Sequence, residues 1–69
     1  MNSRVLVTRT HHKATVLLFG RLLQLHRELT SSLDKLVSKG APSAEITLLK
    51  WYISTLDETI NFVRQEVYK

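Results

Sequence analysis

The sequence predicts an all-α protein built as an antiparallel two-helix hairpin, and three observations carry that reading. The stretch Lys39-Gly40-Ala41-Pro42-Ser43 holds one helix stop and one helix start within five residues. After it, Ile46, Leu49, Ile53, Leu56, Ile60, Val63 and Val67 recur at alternating spacings of three and four, an unbroken heptad seam. Finally, the chain has 69 residues, too few for a second independent core, so it makes one domain.

Each element follows from local chemistry. Gly40 suits the left-handed position just past a helix end, and Lys35 and Lys39 are favourably placed on the turn before it. Pro42 cannot continue that helix but can open the next one, with Ala41 or Ser43 near its N-cap and Glu45 in its first turn. A connection this short makes the two helices antiparallel neighbours. Before the turn, Leu18, Leu22, Leu25, Leu29 and Leu36 keep the heptad rhythm, with Ser32 as the one polar interruption. The spacing predicts helix 1 from about residue 10 to 39, a turn at 40–43 and helix 2 from about 43 to 69. At 1.5 Å per residue they span roughly 45 and 40 Å, so their lengths match. Residues 1–13 then form a basic N-terminal arm and residues 14–69 the hairpin. A second reading exists at the front. Val5-Leu6-Val7 and Thr15-Val16-Leu17-Leu18-Phe19 are β-prone runs that can pair as a short β-hairpin before a shorter helix 1.

A lone hairpin needs only a narrow apolar stripe on each helix, and both helices carry more. On helix 1, Phe19 and Leu33 flank the seam, while Val16, Leu23 and Val37 share one heptad position further round, widening the apolar arc to about 160°. On helix 2, Leu48, Trp51, Tyr52 and Phe62 lie off the seam. Below about 70–80 residues a single core rarely supplies more than about 3–5 kcal/mol. With no cysteine for a disulfide, the remaining staple is association: dimerisation into a bundle, or docking on a different protein. Val16, Phe19, Leu23 and Val37, with Leu48, Trp51, Tyr52 and Phe62, are the candidate partner-binding residues. Trp and Tyr are enriched at binding hot spots. Gly20 costs a helix roughly 1 kcal/mol against Ala, and either lets a bulky ring approach or marks a helix start.

Charge suggests an alternative partner. The chain carries +4, with ten Lys and Arg against six Asp and Glu, and no acid precedes Glu28. Arg4, Arg9, Lys13, Arg21 and Arg27 are the candidate nucleic-acid contacts of a basic dimeric bundle, which would bind less tightly as salt rises. No aromatic residue is interleaved with the basic arm to stack on bases.

Other chemistries find little footing. Without cysteine there is neither a thiol nucleophile nor a Cys-based zinc site. Neighbouring His11 and His12 diverge by about 100° on a helix, and His26 lies two heptads beyond His12, so no metal site is predicted. His26 reads as a partly buried packing residue at the seam edge. Asp57 and Glu58 diverge for the same reason and make no acid–base pair. No Gly-rich phosphate loop exists. The sequence therefore predicts no enzyme, no cofactor and no small-molecule substrate. The apolar stretch from Ala14 is broken by Arg21, short of the roughly 20 residues a membrane span needs. The expected location is cytoplasmic, with a mitochondrial presequence as the alternative reading of the acid-free N-terminus.

In shape, residues 22–69 resemble the small helical-hairpin co-chaperones of type III secretion, which pair with another protein to hold an aggregation-prone subunit. The same region is similar to the plasmid copy-control RNA-binding hairpins, which dimerise into four-helix bundles. Both resemblances lie in architecture, and neither assigns a functional residue here. The expected function is a small non-catalytic interaction module, an adaptor, co-chaperone or inhibitor, that binds a partner protein or itself through apolar helix faces.

Overall fold

The computed structural model describes the backbone of residues 3–68 and the side chains of residues 9–68. It contains two helices, α1 (Ser3–Ser38) and α2 (Ser43–Val67), packed antiparallel, and among the described residues there is no strand. The β-prone runs at the front are both helical, because no Gly or Pro interrupts the chain before Gly20 and nothing local stops the helix. Helix 1 thus begins earlier than about residue 10.

The turn explains the hairpin. Gly40 takes φ 71°, the left-handed conformation. Its N–H donates to the Val37 carbonyl at 3.2 Å, and the Ala41 N–H donates to the Leu36 carbonyl at 3.0 Å. That pair of bonds is a Schellman motif, which satisfies two carbonyls the helix end leaves open. The start of α2 corrects one expectation. Pro42 is the N-cap itself, with φ −55° and ψ 140°, instead of the first helical residue. Its carbonyl accepts the N–H groups of Glu45 and Ile46 at 3.1 and 3.2 Å, and no side chain caps the helix.

The two glycines give opposite predictions. A Cβ at Gly40 meets no atom within 4 Å, so Gly40→Ala pays for its positive φ alone. We expect a loss of about 1 kcal/mol. Gly20 is helical, and a Cβ there also meets open space. Gly20→Ala should therefore stabilise the hairpin by about 1 kcal/mol. Thermal unfolding of both variants checks the pair, and a destabilised Gly20→Ala would show that another helix approaches at this point.

The seam of α2 follows the sequence reading. Leu56, Ile60 and Val63 are the buried side chains among the described residues, and Ile46, Leu49, Ile53 and Val67 are half-buried beside them. The seam of α1 is corrected. It runs through Thr15, Phe19, Leu22, His26, Leu29, Leu33 and Leu36, all half-buried, while Leu18 is 49% and Leu25 36% exposed. The helix is turned by roughly 50° from the expected phase. The rotation brings Phe19 and Leu33 inward and releases Ser32 to solvent, so no polar residue interrupts the lower half of the seam.

The molecule measures 60 Å by 15 Å by 15 Å. With 36 residues in α1 and 25 in α2, α1 runs about three turns past the open end of the hairpin. The overhang is solvated, with residues 9–14 all exposed. No helix among the described residues is long and apolar enough to cross a membrane.

Candidate functional site

The hairpin presents two unlike broad faces. On one, the edge of α1 bearing Phe19, His26 and Leu33 meets the edge of α2 bearing Asp57 and Arg64. His26 Nε2 is shielded from solvent and stands 2.8 Å from Asp57 Oδ1. The approach is too poorly aligned to count as a hydrogen bond and is a close polar contact. One heptad toward the open end, the Arg64 guanidinium lies 5.9 Å from the Phe19 ring centroid. Tyr68 packs edge-on against the same ring, centroids 6.5 Å apart at 83°. Polar and aromatic contacts within the chain therefore bridge the two helices along this face.

The His26 contact carries a modest prediction. Asp57 is 58% exposed, and pairs this wet are worth about 1 kcal/mol or less. Asp57→Ala removes the carboxylate that faces Nε2, so a loss of about 1 kcal/mol or less is expected in urea unfolding. Asp57→Asn keeps the shape and removes the charge, and because the contact is not a hydrogen bond it should lose about as much. A clearly smaller loss for Asp57→Asn would show that an acceptor oxygen, not the charge, is what His26 needs.

The other face is apolar and open. Leu18 and Leu25 of α1 border it, and Leu29, Leu36, Leu48, Leu49 and Tyr52 line a shallow groove of about 300 Å³ between the helices, with Glu45 at its end. Beyond the groove, the surface of α2 continues through a second hollow formed by Trp51, Tyr52, Thr55 and Thr59. Trp51 is 68% exposed, and Leu48, Tyr52 and Phe62 are exposed to a similar degree. The apolar groove and the α2 anchors are thus continuous.

The candidate partner-binding residues divide accordingly. Val16, Val37, Leu48, Trp51, Tyr52 and Phe62 are exposed. Phe19 and Leu23 are half-buried, and Phe19 belongs to the hairpin's own packing through Arg64 and Tyr68. Val16 and Val37 lie on the face that His26 and Asp57 bridge, apart from the α2 anchors. Leu18 and Leu25, assigned to the seam by the sequence, border the open face instead.

The basic residues do not converge. Arg9, Lys13, Arg21 and Arg27 are exposed along α1, and Arg4 lies in α1 with its side chain outside the described residues. Arg9 and Lys13 sit one turn apart on the overhang. Arg9, Lys13 and Arg27 lie within about 40° on one side of α1 but are spread over about 27 Å along its axis, and Arg21 is rotated about 80° from Lys13. Among the described residues no three His, Cys, Asp or Glu side chains are grouped as metal ligands.

No protein-family model matches this chain, and neither a curated protein nor a solved structure matches it.

Proposed function

We propose that the protein is a small non-catalytic interaction module that binds a protein surface, a partner's or its own, through the open apolar face. One observation carries the reading: Leu48, Trp51 and Tyr52 are exposed around adjoining hollows, with Phe62 exposed further along the same helix, whose buried side chains number only three. Monomeric soluble proteins rarely leave a contiguous apolar patch of this kind, and such patches mark interaction sites. The adjoining groove supplies concavity, and aromatic anchors beside a groove are the usual composition of a binding hot spot. Completion of the hairpin into a larger bundle is the structural form of this proposal.

Site-specific photo-crosslinking tests it. A photo-reactive residue at position 51 or 62 should give discrete protein adducts in cells, while the same residue at Gln24, exposed and polar on α1, should give none. Absence of adducts from positions 51 and 62, or equal labelling from all three, would overturn the reading.

A further inference from the structure

Resting on that reading, we propose that the exposed face of α2 is a self-complementary dimer surface whose occupant is α2 of a second copy, running antiparallel about a two-fold axis at Thr55. A two-fold interface must be complementary to itself: where residue i meets residue j, j must also meet i. Leu48, Trp51, Thr55, Thr59 and Phe62 are spaced three, four, four and three residues apart. The pattern reads the same in both directions from Thr55. It lies about 130° around α2 from the buried seam, on the side turned away from α1.

Antiparallel pairing sets large side chains against small ones. Leu48 comes level with Phe62 of the second copy, and Trp51 level with Thr59, in a hole formed by Thr55, Glu58, Thr59 and Phe62. Tyr52 lies across the same turn from the other flank. This is the knobs-into-holes arrangement that paired helices use. A parallel pair would instead set Trp51 against Trp51 and leave the two threonine turns facing each other unfilled. It would also align the helix dipoles and bring Glu58 level with its own copy, whereas antiparallel packing opposes the dipoles.

Burial costs little polar satisfaction. The Thr59 hydroxyl already donates to the Thr55 carbonyl at 3.1 Å, so Thr59 enters the interface with its donor spent. None of the five stripe positions is charged, and Lys50, Asp57 and Arg64 lie on the opposite edge of the helix; Glu58, exposed and in the heptad position of Trp51, must keep its carboxylate at the solvated rim. The exposed area is of the order a small dimer needs. Trp51, Tyr52 and Phe62 expose 68%, 58% and 66% of their surfaces. For rings that bury 150–250 Å² each, two chains bring roughly 600–1,000 Å² of aromatic surface. Leu48, Thr55 and Thr59 carry the total toward the roughly 1,200 Å² at which stable interfaces begin.

Sedimentation equilibrium on the full chain, with helicity followed alongside, reads the association, and cysteine cross-linking reads its geometry in a chain that has no cysteine of its own. The wild type should dimerise. Trp51→Ala and Thr59→Arg should each weaken the dimer by about tenfold or more while the hairpin stays helical, since both positions are exposed. Thr55→Cys should form a disulfide-linked dimer under mild oxidation. Leu48→Cys should cross-link to Phe62→Cys in a mixture and not to itself. A helical wild-type monomer at every concentration would overturn the proposal. So would a dimer indifferent to both substitutions, a Thr55→Cys chain that fails to cross-link, or Leu48→Cys linking to its own copy. A helical monomer that still gives adducts to other proteins from position 51 would refute the second copy and leave the interaction module standing. Loss of both would refute the two together.

Discussion

Ile60→Ala should leave the isolated chain largely unfolded at low concentration, as judged by helical circular dichroism against urea. Ile60 is 4% exposed, the most buried side chain among the described residues, and its neighbours Leu56 and Val63 are the other two members of the core. Truncating a buried Ile to Ala costs about 2–5 kcal/mol, part of it for the cavity left behind. A single core in a chain of this size supplies only about 3–5 kcal/mol in total, so one substitution consumes most of the margin. Trp51→Ala removes a larger side chain, yet at low concentration its effect should stay within about 0.5 kcal/mol because the indole is mainly solvated. The contrast separates what holds the hairpin from what the hairpin offers. If the proposed dimer forms, Ile60→Ala should regain helicity as protein concentration rises, because association draws the folded state by mass action. A variant that keeps wild-type helicity in dilute solution would mean that stability comes from elsewhere along the seam.

The elements legible from sequence are those where one local rule has no competitor. In α2, only one phase of the helix collects Ile46, Leu49, Ile53, Leu56, Ile60, Val63 and Val67, and that phase faces α1. Gly40 is legible because a positive φ after a helix selects glycine. Pro42 is less so, since its fixed φ suits both the N-cap and the first helical position, and only the hydrogen bonds from Glu45 and Ile46 distinguish them. The His26–Asp57 contact joins residues distant in sequence, so no spacing along one helix reveals it. The hairpin register does carry it. His26 and Asp57 are equidistant from the turn at Ala41 and Pro42, as are Phe19 and Arg64, so folding the chain back about that turn sets each pair level. The open face is half legible: exposed aromatics on α2 follow from the surplus over its seam, but the groove beside them depends on the phase of α1.

That phase is what the sequence leaves undecided, and substitution decides it. Leu22, Leu29 and Leu36 belong to either of two heptad seams, one completed by Leu18 and Leu25 with Ser32, the other by Phe19, His26 and Leu33. Leucine count favours the first. The structure adopts the second, because Phe19 buries a large ring under Arg64 and Tyr68, His26 reaches Asp57, and Ser32 need not be desolvated. Leu33→Asp should therefore unfold the hairpin, since a carboxylate in the seam must either lose its hydration or protonate, at a cost of several kcal/mol. Leu18→Asp should leave the dilute hairpin helical within about 1 kcal/mol, because Leu18 is 49% exposed on the border of the open face. Urea unfolding of the two variants under one buffer gives the comparison directly. The reverse order, with Leu18→Asp unfolded and Leu33→Asp intact, would place the seam on Leu18 and Leu25 and close the groove beside Leu48 and Tyr52. The same rotation that hides Phe19 and Leu33 thus leaves Leu18 and Leu25 outside, where they form the α1 border of the open face.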